Sequence, residues 1–233
     1  MAQSNSIQQV KVWDWSIRVF HWCLPMLIFL MWFTNDQDKM ERHFLAGQVL
    51  LGLLCYRLIW GVIGTPYARF KHFLYGPKAL FAYLTGFFAV NKPRYLSHNP
   101  MGGVMVFVLL GAVIFQLVSG LFTTDDIFTE GPLYDSVSRS TSAWFSRWHS
   151  VFFDGLLALI GLHLVAITVY KLRGEGLVKA MFTGKKEATG KEKDLIISSD
   201  AERSFEGFPW WRFVLAVGLS VVPVVWILSL IHI

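Results

Sequence analysis

Five uninterrupted apolar stretches, each near the length of a membrane crossing, constrain this 233-residue chain more than any other feature. They cover about residues 15–34, 44–64, 101–123, 148–170 and 209–231. A bilayer offers backbone N–H and C=O groups no partner, so each stretch must satisfy its own hydrogen bonds as a helix of about 20 residues. A soluble core of this size would not need so many such runs. The expected fold is therefore all-α and integral to the membrane, a four-helix transmembrane bundle with a fifth, C-terminal transmembrane helix. Nothing like a small-residue cleavage site follows "FLMWFTNDQDK", so the first stretch is expected to be a mature helix rather than a signal peptide.

The charges orient this bundle. The net charge is +5, yet its distribution matters more than its sum. If the N-terminus is cytoplasmic, the connections at 65–99 and 171–208 face the cytoplasm. The first carries Arg69, Lys71, Lys78, Lys92 and Arg94 with no acid, and the second carries eight Lys or Arg. The opposite connections, 35–42 and 124–147, hold only Lys39, Arg42, Arg139 and Arg147 among seven acids. That asymmetry is the positive-inside pattern. It implies contact with anionic membrane lipid and leaves nothing for nucleic acid to explain. Residues 1–14 read as a polar cytoplasmic arm. The segment "GPKALFAYLTGFFAV" (76–90) reads as an interfacial helix, and 187–208 as a charged cytoplasmic linker. Residues 1–186 thus form one transmembrane domain, followed by the linker and the fifth helix at 209–231.

Ionisable groups inside membrane spans are costly and point to function. Of seven histidines, His72 and His98 fall in the basic connection, where a solvated surface position is expected, and His232 ends the fifth helix. Four others fall in or beside the first, second and fourth stretches: His21, His43, His149 and His163. His149 and His163 are fourteen residues apart, nearly four helical turns, so they share a face about 21 Å apart along the axis. Chain direction then sets two level pairs, His21 with His163 toward the cytoplasm and His43 with His149 toward the outside. Each pair suits a flat macrocycle clamped through its iron by two imidazoles. Zinc needs about four ligands close together and fits two separated pairs poorly. A proton relay would not require level pairs. Arg57 lies fourteen residues after His43 and Arg18 one turn before His21, and both suit haem propionates. Arg42 and Arg147 flank the other pair and serve equally as interface anchors. Asp154, inside the fourth stretch, reads first as hydrogen-bonded between helices and second as a proton carrier. Cys23 and Cys55 give no disulfide framework, and without a C-x-x-C-H the haem would be held non-covalently.

Over about residues 11–186 the chain resembles the bacterial cytochrome b561 and nickel-hydrogenase b-type cytochrome family. The resemblance rests on "VWDWSIRVFHW", "RHFLAGQVLLGLLCYRLIWG", "YLSHNPMGGVMV", "WHSVFFDGLLALIGLHLV" and "GLVKAMFTGKK". It implies two haem b groups on His21, His43, His149 and His163, in a multi-pass protein of the bacterial inner membrane. It also implies electron transfer between membrane quinone and a periplasmic redox partner, a hydrogenase subunit or a cytochrome. The chain would then be the electron-transfer subunit of an oxidoreductase. A superoxide:quinone oxidoreductase is the rival within the same family, and the acidic segment "TTDDIFTEGPLYD" argues against it by repelling an anion. A haem-free membrane anchor is the second rival and leaves the paired histidines unexplained.

Overall fold

A computed structural model of the chain describes residues 8–37, 39–87, 93–127, 129–188, 192–194 and 207–231. In chain order the elements are β1 (Gln8–Lys11), α1 (Trp15–Asp36), α2 (Met40–Ile63), α3 (Pro77–Thr85), α4 (Pro100–Gly120), α5 (Arg139–Leu172), α6 (Leu177–Thr183), β2 (Lys185–Ala188) and α7 (Trp210–Ile231). Helices α1, α2, α4, α5 and α7 are long and apolar enough to cross a membrane. Many of their apolar side chains face outward, Met26, Val62 and Leu164 among them. That is the arrangement lipid tolerates and water does not.

Three spans begin on side chains that accept hydrogen bonds from otherwise orphaned N–H groups. The Ile17 N–H donates to Asp14 Oδ1 at 2.9 Å, the Gly102 N–H to Asn99 Oδ1 at 2.8 Å and the Thr141 N–H to Ser138 Oγ at 3.2 Å. Each acceptor occupies the N-cap, three residues before its donor, and Pro100 sits where a proline costs α4 nothing. Caps rather than hydropathy therefore set these ends. Helix α5 accordingly starts nine residues before the apolar stretch expected at 148–170.

The chain divides into two compact units. One comprises Met1–Val19, Leu58–Phe107 and Ala166–Val214. Within it β1 pairs antiparallel with β2, Val10 opposite Lys186, so the expected polar arm is in part a strand. The Leu96 and Ser97 N–H groups donate to the Asp194 carboxylate at 2.6 Å each, and Lys186 Nζ donates to the Tyr95 carbonyl at 3.1 Å. The charged stretch expected as a solvated linker is thus pinned at 187–188 and 192–194, while 189–191 and 195–206 lie outside the described residues. His98 is not the solvated surface histidine its setting suggests. Its ring lies 4.7 Å from that of Trp13 and 4.6 Å from that of Phe73. His232 lies outside the described residues.

The other unit comprises Phe20–Arg57, Val108–Val165 and Leu215–Ile233. Its core brings Phe20 of α1, Leu50 and Leu54 of α2, Ala112, Val113 and Leu117 of α4, and Leu156 of α5 into one apolar cluster. Four helices around a shared core form the frame on which the histidines stand.

Candidate functional site

His21, His43, His149 and His163 all belong to this second unit, half-buried on α1, α2 and α5. The rings of His43 and His149 lie 6.4 Å apart between centroids, with planes 78° apart. Each is held from behind. The His43 Nδ1–H donates to the Met31 carbonyl at 2.8 Å, and the His149 Nδ1–H to the Gln116 carbonyl at 2.9 Å. The Ser119 hydroxyl lies 3.1 Å from the same His149 nitrogen, and Gln116 Nε2 returns a bond to the His149 carbonyl at 2.9 Å. With Nδ1 carrying the proton on both rings, both Nε2 lone pairs remain available to a metal, the tautomer that ligating imidazoles adopt.

The separation fits one iron between two imidazoles. Metal–nitrogen bonds of about 2.0–2.1 Å, with each nitrogen about 1.2 Å from its own ring centre, put opposed ring centres roughly 6.4–6.6 Å apart. The rings border a cavity of about 330 Å³, whose walls include Met31, Gly47, Gly120 and Asp125. That volume lies within the range of cofactor sites. Gly120 is required by close approach, because a Cβ there would stand 2.9 Å from His149 Cε1. Hydropathy gave no sign of this glycine or of Gln116 and Ser119. The helical spacing of Gln116 and Gly120 on α4 was the only available signal.

His21 and His163 lie within electrostatic range of each other. The structure brings His43 and His149 together at a ring-centroid distance of 6.4 Å. Among the described residues, His21 Nδ1 is buried with no hydrogen-bond partner and the His163 side chain makes no hydrogen bond. No three or more His, Cys, Asp or Glu side chains among the described residues converge as a metal cluster needs.

The arginines divide. Arg57 is buried, at 5% exposure, within the same unit as the four histidines. Arg18 belongs to the other unit, where its Nη1 donates to the Phe182 carbonyl and its Nε is buried without a partner among the described residues. Arg42 and Arg147 are exposed. Asp154 is exposed on α5 and its side chain makes no hydrogen bond to a described residue, so it is not the interhelical bond its position suggested.

One residue that sequence reading passed over organises the first unit. Asp14 is 3% exposed and caps α1 through Oδ1, which also accepts from Ser16 Oγ at 2.6 Å. Its Oδ2 accepts from Trp60 Nε1 at 3.1 Å and Thr65 Oγ1 at 2.6 Å. Only its place at a helix start, before the apolar run, was legible beforehand.

The family model of the prokaryotic cytochrome b561 matches residues 12–184. A probable Ni/Fe-hydrogenase B-type cytochrome subunit of Bradyrhizobium diazoefficiens is 21% identical over 76% of this chain and 86% of its own. One of Rhizobium leguminosarum bv. viciae is 24% identical over 77% of this chain and 89% of its own. No solved structure matches the chain.

Proposed function

Because the chain belongs to the prokaryotic cytochrome b561 family, and is thus a multi-pass membrane b-type cytochrome serving electron transfer, we propose that it holds two haem b groups. His43 and His149 bind one, and His21 and His163 the other. Electrons pass between a hydrogenase or similar one-electron protein and membrane quinone, in the bacterial inner membrane with the N-terminus cytoplasmic. The observation that carries this reading is the His43–His149 pair, 6.4 Å apart with both Nδ1 atoms committed to backbone carbonyls.

Haem b bound by two imidazoles supplies a one-electron iron couple with no open coordination site. The chain's own residues do the rest. The Met31 and Gln116 carbonyls fix which nitrogen of each ring faces inward. Gly120 leaves the His149 ring its place against α4. Arg57, and Arg18 one turn before His21, are the cations assigned to the propionates, since a guanidinium matches a carboxylate in bidentate fashion. Each acts from its own helix by its spacing from the histidines.

A superoxide:quinone oxidoreductase is the second reading. It has Arg42 and Arg147 in its favour and Asp125 on the cavity wall against it. A carboxylate there repels an anion and suits a basic protein face.

The test is haem stoichiometry. Acid–acetone treatment of the purified full chain should release all haem, at about two per polypeptide, as a bundle with two ligand pairs requires. A ratio near one, or haem retained on the denatured chain, would contradict the proposal.

A further inference from the structure

The His43–His149 site as built so far draws on α1, α2, α4 and α5 and gives α7 no part. The packing of α7 says otherwise. Within the second unit, Ala216, Ser220, Val224 and Ile227 follow at steps of four, four and three residues, which makes them one stripe of the helix. Ala216, Ser220 and Ile227 are buried, at 0%, 5% and 3% exposure, whereas Val222, Val225 and Trp226 are each more than half exposed. Lipid is as apolar as these side chains, so only close packing draws such a stripe against protein, and small residues permit it. The approach to α2 is made where that helix has no side chain, since a Cβ on Gly52 would stand 3.3 Å from Val224 Cγ2. About one turn further on, Ile227 forms part of the wall of the cavity bordered by the His43 and His149 rings. A branched apolar side chain in such a wall holds a flat, largely apolar ligand by dispersion contact and keeps water from it.

We propose that α7 is the closing wall of the His43–His149 haem site, with Ile227 meeting the macrocycle and Gly52 admitting the helix against α2. This rests on the two-haem reading above and gives the fifth helix a part in it. Ile227 has no ligating atom, so its contribution is to the lifetime of the bound haem and not to its ligation. The outward residues of α7 face lipid and make no such contribution.

Transfer of haem from the purified full chain to excess apomyoglobin, followed by absorbance, tests this. The wild type should release its two haems in two phases, and His149→Ala should lack one of them. Ile227→Ala should speed that same phase about tenfold or more, on the scale of an apolar contact deleted from a hydrophobic pocket, and leave the other phase in place. Ile227→Val is one methyl group smaller than wild type and should speed it by less. This milder variant decides the matter even where Ile227→Ala does not fold. Gly52→Val pushes on Val224 and should speed the same phase from outside the cavity wall. Val222→Ala, on the exposed face, should leave both phases at the wild-type rate. Wild-type release from both Ile227 variants, or equal acceleration by Val222→Ala, overturns the role of α7 while leaving two haems in place. One haem per chain, unaffected by His149→Ala, overturns the reading of the site itself, and the role of α7 with it.

Discussion

Asp14 concentrates four hydrogen bonds on one buried carboxylate, from the Ile17 N–H, Ser16, Trp60 and Thr65. Removing it uncaps α1 and strands the Trp60 N–H and Thr65 hydroxyl. Caps contribute about 0.5–2 kcal/mol, and each buried donor left without a partner costs about 1–3 kcal/mol. Asp14→Ala should therefore destabilise the protein by at least about 2.5 kcal/mol, the sum of the lower ends of those scales, read from unfolding in detergent. A loss below about 0.5 kcal/mol, the range of an ordinary surface substitution, would show the network to be incidental. Gly120→Ala tests the cradle behind His149 in a different way. The added methyl meets the ring, so haem content should fall while the helix content seen by circular dichroism holds. Unchanged haem content would mean that the ring has room to move.

At the scale of elements, apolar runs and histidine spacing were legible because both are local properties of sequence. Five spans and two candidate pairs could be drawn from them. Pairings between distant segments were not legible. Nothing in "QQVK" announces a strand, because its partner lies at Lys185–Ala188, across most of the chain. The Asp194 contacts with Leu96 and Ser97, and the wedging of His98 between Trp13 and Phe73, were hidden for the same reason. The turn that delivers β2 rests on Gly184, at φ +75°, where a Cβ would stand 2.5 Å from the Trp13 carbonyl oxygen. The left-handed region alone costs an L-residue about 1–2 kcal/mol. Gly184→Ala should lose at least that much stability, and a neutral result would mean that the turn can rearrange.

This part of the fold also sets an alkaline limit. Burial pushes the phenols of Tyr75, Tyr83 and Tyr95 up from their usual range, and for Tyr83 the contact with Tyr170 adds to it. Above about pH 10 the unfolded chain loses these protons while the folded chain keeps them, so stability falls as pH rises. Burial pushes Lys186 down, with the opposite sign. Just below about pH 10.4 the unfolded lysine holds a proton that the folded one has released, so stability rises with pH there. Stability measured against pH should decline above pH 10, and Tyr83→Phe should make the decline shallower. An unchanged slope in that variant would remove Tyr83 from the account.

Across the whole molecule, the acidic connections are the proposed docking face. The connections at 35–42 and 124–147 hold seven acids against four basic residues. One of these acids, Asp126, is already 3.5 Å from Arg139. A donor with a basic face should meet this side under electrostatic steering. Screening shortens from about 10 Å at 0.1 M salt to about 3 Å at 1 M. Stopped-flow haem reduction by the protein donor should therefore slow with salt, and slow further when Asp125, Asp126 and Glu130 are neutralised together. Reduction by superoxide should instead speed up in that triple variant. A protein-donor rate indifferent to both changes would refute docking at this face.

The central claim is that His43 shares a haem with His149, and His21 with His163. The most direct measurement is the haem spectrum and haem content of the four single His→Ala chains. Each should retain one haem of the two. The haem lost from His43→Ala should match that lost from His149→Ala, and the haem lost from His21→Ala that lost from His163→Ala. If His21→Ala and His149→Ala instead remove the same haem, the pairing is wrong, and the level ordering of the helices with it.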